Sequence, residues 1–475
     1  MRFPLALTLK IAKHITKNRL KGTSKFAMVL QLEPLHTCNL TCTGCGRIRE
    51  YSTSLKDLVP LEQCLAAAAE CDAPMVSVCG GEPLIYPKIE ELVAGLRAQG
   101  RIIYICTNGV FMRKKMREHL AATYGPAVEP TVARLLSEGL ITEKEAEQIR
   151  NPDEAARKKV TMGPTKWMYW NVHVDGLEYT HDLIVEREGV FKECVLAIRM
   201  AKIVGYQVAT NTTVYKETNP AELEQMFQFL SSLEVDGHTI SPGYDYDAAK
   251  KDMVKRLGRD PKDFFLTRDL VREKFKDIRR WGEQFTLFGT PVYLEFLAGR
   301  RELPCSAWAI PTYNVRGWKA PCYVMTEGHY GSYQEVLNKV DWEKYGTKDG
   351  VALNPKCENC MMHSGYEPSG ALSTKLGDTW VNMKFNFGSK PKPYPASAEL
   401  TKAAYNGATI GKGHLAEAKA AVNRELSGAK SAYQRNGDDH THDHSAGADS
   451  CGSSPERDAL LAKVRDAKSA EVKAS

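Results

Sequence analysis

Three cysteines lie close together near the start of the chain, in the run HTCNLTCTGCGRI at residues 36–48. Cys38, Cys42 and Cys45 have the spacing Cys-x3-Cys-x2-Cys. Thiolates are soft ligands that suit zinc or an iron–sulfur cluster. A structural zinc site needs a fourth ligand, for which His36 is the local candidate. A [4Fe-4S] cluster held by three cysteines instead leaves one iron open, so that the missing ligand becomes a substrate site.

A glycine-rich segment, CGGEPLI at residues 79–85, follows about 35 residues after this loop. Gly80 and Gly81 have no Cβ, so other groups can approach their backbone closely. Glu82 can accept a hydrogen bond, and Pro83 fixes the turn. By itself the segment predicts only a turn. Its position about 35 residues after the cysteine loop makes the segment a more specific indication of a functional site than of a turn alone.

The elements that must position these residues follow from six short runs of β-branched or apolar residues: MVLQLEP, APMVSVCGG, RIIYICTNG, MYWNVHVDG, YQVATNTTV and DGHTISPG. Helical patterns separate them, which predicts parallel strands with right-handed crossovers. The predicted fold class is α/β, a partial (β/α)6 TIM-like barrel followed by a Cys-containing region and a disordered tail. Ligands bind at the carboxyl edge of such strands. The polar or special residues at this edge are Gly80, Gly81, Glu82, Thr107, Asn108, Asp175, Asn211 and Ser241.

The cysteine spacing at the end of a first barrel strand resembles the signature of the radical S-adenosylmethionine superfamily. CGGEPLI, YICTNGV, NVHVDG and TNTTV resemble the edges of its strands two to five. The resemblance implies a [4Fe-4S] cluster on the three cysteines, with the open iron chelated by the amino and carboxylate groups of S-adenosylmethionine. One electron then releases methionine and a 5′-deoxyadenosyl radical. It also implies these cofactor-binding residues: Gly80, Gly81, Glu82 and Pro83 at the methionine end, Thr107, Asn108, His173, Asp175 and Asn211 around the ribose and carboxylate, and Ser241.

A finer resemblance extends over roughly residues 20–375, excluding the insertion at 117–166. LEPLHTCNLTCTGCG, GGEPLI, TISPGY, FLAGRRELPC, WKAPCYVMTEGH and CENCMMHSGYE together resemble the adenosylhopene transferases of hopanoid biosynthesis. The resemblance implies that the adenosyl radical adds to the terminal alkene of diploptene and joins C5′ to the triterpenoid. It also implies an electron donor such as flavodoxin or ferredoxin.

Radical addition leaves an unpaired electron on a tertiary carbon, which must be quenched. A thiol is a suitable hydrogen donor because its S–H bond is weaker than the C–H bond being formed. Cys106, at the end of the third predicted strand, is the candidate donor; a small buried residue in an apolar strand is the alternative. Cys305, in ELPCSAW, is a candidate relay or pocket wall.

Four cysteines in the second half of the chain are a candidate auxiliary metal site: Cys305, Cys322, Cys357 and Cys360. The resembled family usually has cysteine where this sequence has Ser364. An auxiliary cluster would favour an alternative activity, hydrogen abstraction from a different lipid or from a peptide. A non-catalytic metal-binding protein is an alternative from another class.

The positive charge is concentrated at the start of the chain. The first 30 residues carry seven Lys or Arg and no acidic residue, against a net charge of +6 for the whole chain. This distribution does not favour a nucleic-acid-binding face. Segment 1–25 predicts an amphipathic helix that either packs on the barrel or lies on an anionic membrane. No apolar stretch reaches 18 residues and no signal cleavage site follows, so we expect a cytoplasmic protein with a candidate peripheral contact to the inner face of the membrane.

The sequence divides into further segments. Residues 26–245 are the predicted barrel, and within them 117–166 form an insertion, either a surface addition or a lid. Residues 246–386 are the predicted Cys-containing substrate region. Residues 387–475 are Ala-, Lys-, Ser- and Gly-rich, which predicts a mostly disordered tail. Within it HTHDHS, at 440–445, is either a solvated tract or an adventitious metal binder.

Overall fold

The computed structural model describes residues 4–243 and 245–405. The six predicted strands are β1 (Val29–Leu32), β2 (Met75–Val78), β3 (Ile102–Thr107), β4 (Met168–His173), β5 (Gln207–Val214) and β6 (Gly237–Pro242). Each pairs in parallel with the next. The α/β partial barrel predicted from the sequence is therefore confirmed.

The sheet continues into the second half of the chain. The added strands are β7 (Thr312–Asn314), β8 (Gly317–Pro321) and β9 (Thr326–Tyr330), and the full order is β6-β5-β4-β3-β2-β1-β7-β8-β9. β7 runs parallel to β1, whereas β8 and β9 are antiparallel. A separate hairpin is formed by β10 (Thr347–Lys348) and β11 (Val351–Ala352). The C-terminal region thus completes the barrel sheet next to the strand that leads into the cysteine loop.

Helices accompany the barrel strands. They are α1 (Leu5–Leu20), α2 (Arg47–Glu50), α3 (Leu61–Cys71), α4 (Ile89–Ala98), α5 (Met112–Ala122), α6 (Glu129–Ser137), α7 (Glu143–Arg150), α8 (Glu154–Lys158), α9 (Glu178–Ile184), α10 (Val190–Val204) and α11 (Pro220–Ser232). Strands β3 and β4 are buried along nearly their whole length, as expected for parallel strands covered on both faces.

The remaining helices lie after the sixth strand. They are α12 (Asp247–Leu257), α13 (Arg268–Lys274), α14 (Ile278–Gln284), α15 (Pro291–Leu297), α16 (Tyr333–Lys339), α17 (His363–Ala371), α18 (Leu376–Phe387) and α19 (Ala398–Tyr405). Within the part of the chain that the structure describes, no helix is both long and apolar enough to cross a bilayer.

The insertion forms helices α5 to α8, which pack on one another and on α10. Arg199 of α10 pairs with Glu138 at 3.1 Å. The Tyr206 hydroxyl donates to the Met162 carbonyl at 2.6 Å. Tyr206 precedes β5 directly, so this contact lies at the amino end of the strands, opposite the edge predicted to bind ligands. The arrangement supports a surface addition rather than a lid.

Helix α1 packs under the amino ends of the strands. Leu7 is fully buried in a cluster with Ile102 and Tyr169. The His14 ring hydrogen-bonds to the Ala27 carbonyl at 2.9 Å. The helix therefore packs on the barrel, one of the two arrangements that its pattern predicted. It still leaves three leucines exposed: Leu5, Leu9 and Leu20.

Residues 388–405, the described start of the predicted tail, contact the rest of the chain. The Tyr405 ring lies 5.9 Å from that of Phe191, and the Tyr394 ring lies 5.6 Å from that of Phe285. These aromatic contacts anchor the segment to the barrel, although its composition is low in apolar residues. The rest of the predicted tail, including 440–445, lies outside the described residues.

Candidate active site

The cysteine loop leaves the carboxyl end of β1, and Arg49 of α2 holds its backbone. The Arg49 guanidinium donates to the carbonyl oxygens of Thr41, Cys42 and Cys45 at 3.1, 3.1 and 2.9 Å. It also pairs with Asp252 at 2.6 Å. These carbonyls have no strand or helix partner, so the arginine satisfies them and fixes the course of the loop.

The other side of the loop is held by the segment that follows α9. The Thr43 backbone N–H donates to the Ile184 carbonyl at 2.9 Å. The Thr43 hydroxyl donates to the Glu186 carboxylate at 2.8 Å, and Arg256 pairs with the same carboxylate at 2.6 Å. The loop is therefore clamped between two ion pairs.

The three thiols lie close enough to influence one another. Burial, and after it the nearby Glu82, raises the pKa of Cys38 to about 12. Burial also raises the pKa of Cys42 well above its usual range, with Cys45 and Cys38 acting in the same direction. Three thiolates at this place need a compensating positive charge. An all-sulfur donor set in a buried loop fits an iron–sulfur cluster, which supplies that charge.

His36 does not complete a zinc site. Its Nε2 atom lies 3.2 Å from the Glu33 carboxylate, and its ring packs 4.5 Å from that of Tyr51. Among the described residues, no three His, Cys, Asp or Glu side chains converge closely enough to hold one metal ion.

A buried ion pair beneath the loop was not predicted from the sequence. Arg47 lies 3.2 Å from Glu33, which is fully buried. Its guanidinium lies over the rings of Tyr246 and Tyr323, 4.6 and 4.4 Å from their centroids. Burial alone would raise the pKa of Glu33, but Arg47 and His36 outweigh it and hold that pKa well below its usual range. The pair anchors the end of β1 to the C-terminal region.

Gly80 and Gly81 pack against the start of the cysteine loop. A Cβ on Gly80 would lie 2.3 Å from the Leu35 carbonyl oxygen, and one on Gly81 would lie 2.0 Å from that of Thr37. The Gly81 backbone N–H donates to the Leu35 carbonyl at 3.0 Å. The missing Cβ atoms are thus needed for contact between the two loops. This is a structural requirement in addition to the predicted contact with a cofactor. Pro83 opens a short 3-10 turn, as predicted.

Glu82 links the carboxyl ends of β2 and β3. Its carboxylate, which is 1% exposed, accepts from the Thr107 hydroxyl and from the Asn108 backbone N–H, both at 2.8 Å. Burial raises the pKa of Glu82 to about 7. The Asn108 side chain in turn donates to Asn39 in the cysteine loop at 2.8 Å. The structure therefore brings three of the predicted site residues into one network with that loop.

The carboxyl ends of β4 and β5 meet at Asp175, which is fully buried. The His173 Nε2 atom lies 2.5 Å from one Asp175 oxygen, and the Thr213 backbone N–H donates to the other at 2.7 Å. Burial alone would lower the pKa of His173, but Asp175 outweighs it and raises that pKa. Asn211 stands directly beside His173 in the sheet. Asp175 also lies near enough to raise the pKa of Cys42.

Ser241 lies on β6, where it pairs with Thr213 of β5. It is buried at the same end of the sheet as the other predicted residues. The structure thus brings the predicted cofactor-binding residues to the carboxyl edge of the six parallel strands, beside the three cysteines.

Cys106 lies deeper in the sheet than the edge residues. Its Sγ atom is 3.1 Å from the Ser77 hydroxyl and accepts a hydrogen bond from the Asn171 side chain at 3.4 Å. Burial raises the pKa of this thiol, so it remains protonated near neutral pH. The sequence did not identify Ser77 or Asn171. The signal that could have identified them is the alternation of side chains along a strand, applied to β2 for Ser77 and to β4 for Asn171.

Ser77 and Asn171 also line a large cavity of about 640 Å³. The cavity runs between the inner side of the strands, α1 and α18. Its apolar lining includes Ile11, Ile15, Met28, Leu287, Phe288 and Met383. Polar side chains are interspersed in this lining, among them Glu367, whose pKa burial raises to about 7.

Cys305 does not line this cavity. It lines a second, smaller one together with Cys322, Cys357 and Cys360. The structure therefore groups Cys305 with the other cysteines of the C-terminal region.

Two family models match the chain. Residues 32–129 match the Radical SAM superfamily, and residues 238–383 match a domain of unknown function, DUF3463. The first match contains the cysteine loop and the glycine-rich segment.

A curated relative is the GTP 3′,8-cyclase of Aquifex aeolicus (strain VF5), 24% identical over 214 residues. The match covers 44% of this chain and 54% of the cyclase, so the chain spans about half the length of this relative. Among solved structures, Streptococcus suis SuiB bound to S-adenosylmethionine has a TM-score of 0.46 at 12% identity, over 81% of this chain and 80% of that one. The protein anSMEcpe with bound AdoMet and Cp18Cys peptide has a TM-score of 0.39 at 13% identity, over 80% and 99%.

The superfamily match and the geometry of the cysteine loop point to one class: residues 32–129 are similar to the radical SAM superfamily. The cofactors of that class are a [4Fe-4S] cluster and S-adenosylmethionine. In this chain Cys38, Cys42 and Cys45 are the residues that would hold the cluster.

Proposed function

We propose that the enzyme transfers the 5′-deoxyadenosyl group of S-adenosylmethionine to the terminal alkene of a hopene such as diploptene, giving adenosylhopane. The observation that carries the proposal is the large cavity, whose wall includes Ser77 and Asn171, the two residues in contact with Cys106.

The cavity suits a rigid hydrocarbon. Its volume of about 640 Å³ falls within the range of sites for sizeable organic ligands. Its exposed surface is mostly apolar, with polar side chains such as Gln31, Thr239 and Asn382 interspersed in it. A fused-ring triterpenoid has almost no hydrogen-bonding groups, so its binding depends on such a surface. The alkene end would then lie toward the strands, and the ring system toward α1 and α18.

When bound, the cluster supplies the one electron that cleaves the sulfonium and frees the adenosyl radical. The alkene carbon gains the C5′ bond, and the unpaired electron moves to the neighbouring tertiary carbon. The protonated Cys106 thiol then donates a hydrogen atom to that carbon. Ser77 and Asn171 hold the thiol in place during this step. The resulting thiyl radical takes up one electron from a reductant such as flavodoxin or ferredoxin and one proton from solvent.

A lipid substrate also accounts for the surface beside the cavity. Helix α1 carries lysines, and Leu5 and Leu9 are exposed on it; α18 exposes Trp380 and Phe387. Apolar side chains next to basic ones suit contact with an anionic membrane. We therefore propose that the enzyme works at the cytoplasmic face of the membrane and takes its substrate from the bilayer.

Anaerobic incubation of the reconstituted enzyme with a reductant, S-adenosylmethionine and diploptene tests the proposal. Mass analysis of the lipid extract should reveal an adduct of the adenosyl group and the hydrocarbon. If free 5′-deoxyadenosine is the only adenosyl product, the transfer is excluded. Hydrogen abstraction from another lipid or a peptide then becomes the better account.

A further inference from the structure

We propose that Cys79 is a second thiol of the active site, which returns a hydrogen atom to Cys106 after that residue has quenched the substrate radical. The inference rests on the proposed transfer of the adenosyl group, because the quenching step is what leaves Cys106 short of a hydrogen. Cys79 lies outside the cluster loop and directly before Gly80. Its position in the sheet is the observation that points to this role.

Cys79 and Cys106 are neighbours across two parallel strands. Strands β2 and β3 pair Val78 with Ile105, so the next position of this register places Cys79 beside Cys106. The backbone of Cys79 still follows the sheet there, because its N–H donates to the Leu32 carbonyl of β1 at 2.8 Å. Neighbouring strands lie about 4.8 Å apart, which brings the two side chains next to each other.

The two thiols also lie on the same face of the sheet. Ser77 and Cys79 are two residues apart, and side chains with that separation along a strand point to the same side. The Ser77 hydroxyl lies 3.1 Å from the Cys106 sulfur, so the face of Ser77 is the face of Cys106. After burial and Glu33, Cys106 is the next group that raises the pKa of Cys79. Register, face and this electrostatic influence all place the two sulfurs close together.

The exposure of the two thiols differs from that of packing cysteines. Cys64, Cys71 and Cys194 are buried, whereas Cys79 and Cys106 are both partly exposed. Their strands are central in the sheet, and Ser77 on the same face lines the large cavity. The exposed parts of the two thiols therefore face the interior of the barrel, where the radical chemistry takes place.

The hydrogen transfer exchanges two bonds of the same kind. The S–H bond of Cys79 breaks while the S–H bond of Cys106 forms. The Cys106 thiyl radical is thereby reduced to the thiol, and the unpaired electron moves to the Cys79 sulfur. Because no charge is separated, the step suits an apolar interior, in which a new unpaired charge is costly.

Cys79 is better placed than Cys106 to take up the electron that completes the cycle. Burial raises the pKa of Cys79, but the nearby Arg47 acts in the opposite direction. Its positive charge stabilises the thiolate that forms when the Cys79 radical gains one electron from the flavodoxin or ferredoxin. One proton from solvent then restores the thiol. The next residue, Gly80, packs on the start of the cysteine loop, so Cys79 is also the thiol nearer to the cluster site.

Serine in place of Cys79 separates the relay from packing. Cys79→Ser keeps the shape of the side chain, but its O–H bond is too strong to return a hydrogen atom to a thiyl radical. In the diploptene assay this variant should form about one adduct per chain and then stop, while the wild type continues. Its iron content should equal that of the wild type. Cys64→Ser, at a buried cysteine of α3, is the matched control and should turn over like the wild type.

A measurement without cluster, cofactor or lipid tests the neighbour relationship alone. The triple variant Cys38→Ala, Cys42→Ala, Cys45→Ala removes the loop cysteines as competing partners. Diamide should then join Cys79 to Cys106, because Cα atoms on neighbouring strands lie within the range that a disulfide spans. Mass analysis of unreduced peptides identifies the pair. If Cys79 stays a free thiol or joins another cysteine, the proposal is overturned.

The turnover assay distinguishes the relay from the transfer itself. Repeated turnover by Cys79→Ser at the wild-type rate overturns the relay and leaves the transfer intact. A variant with full iron content that forms no first adduct also overturns the relay, since Cys79 would then act before the quenching step. If the wild type forms no adduct, the transfer fails and the relay fails with it.

Discussion

The thiol of Cys106 lies 3.1 Å from the hydroxyl of Ser77, one side chain behind the wall of the large cavity. The thiol itself does not line the cavity, whereas Ser77, its contact, does. Its raised pKa keeps the hydrogen on sulfur. This relationship connects the hydrocarbon cavity with the carboxyl edge that carries the cluster loop.

The Cys106→Ala variant should lose adduct formation by about tenfold or more, a loss of at least about 1.4 kcal/mol at the quenching step. S-adenosylmethionine cleavage should continue, because no cluster ligand is changed. In heavy water the wild-type product should gain one deuterium, since the thiol hydrogen exchanges with solvent. Cys64→Ala, a buried cysteine of α3 away from the cavity, is the control. Adduct formation at the wild-type rate by Cys106→Ala would rule out the donor role.

The Arg49→Ala variant should lose the clamp on the cysteine loop. Three charge-assisted hydrogen bonds to loop carbonyls disappear, each typically of the order of 1.5–3 kcal/mol. We expect the iron content after reconstitution to fall to well under half that of the wild type. Arg134→Ala removes a surface arginine paired with Glu138 and should leave the iron content after reconstitution unchanged. If the two variants had the same iron content, the loop would hold its shape without Arg49.

The Glu367→Gln variant should change how stability depends on pH. Burial raises the pKa of Glu367 from 4.5 to about 7, so the folded protein keeps a proton that the unfolded chain loses. Between these two values the stability of the wild type falls as pH rises. Glutamine still accepts from the Thr290 N–H, a bond of 2.9 Å, and does not ionise.

Above pH 7 the variant should therefore be the more stable protein by on the order of 1–2 kcal/mol, and below pH 4.5 the two should be alike. Thermal melts across this range measure the difference. A constant difference at every pH would mean that the carboxyl group does not titrate as described.

Charge reversal on α1 tests the membrane contact. Lys13→Glu with Lys21→Glu should reduce binding to phosphatidylglycerol–phosphatidylcholine vesicles by about tenfold or more, because each lysine near such a surface contributes about 1 kcal/mol. Binding of the wild type should also weaken as salt rises. Lys344→Glu with Lys348→Glu, two lysines outside α1 in the turn Trp342–Lys344 and in β10, is the matched control. An equal effect of the two pairs in flotation would exclude α1 as the contact.

The sequence predicted the six parallel strands because each is a short apolar run flanked by helical periodicity. It did not predict β7, which has three residues and shows no periodicity. The contacts of the described part of the tail, 388–405, were not predicted either, because they depend on Tyr394 and Tyr405. Isolated aromatic residues in a polar segment give no local signal.

Within the site, the cysteines and the glycine-rich segment were identified by their spacing. Arg49 and Arg47 were not, since a charged residue in a short helix usually faces solvent, and only the fold reveals what each one contacts. The convergence of four C-terminal cysteines likewise depends on β8 and on loops that are distant in sequence.

The central claim is that the cluster on Cys38, Cys42 and Cys45 leaves one iron for S-adenosylmethionine. Electron–nuclear double resonance of the reduced enzyme, with the cofactor labelled by nitrogen-15 in its amino group, tests this directly. The account predicts a coupling between the label and the cluster, and its loss in the triple cysteine variant. A fully reduced cluster that shows no coupling at saturating cofactor would contradict it.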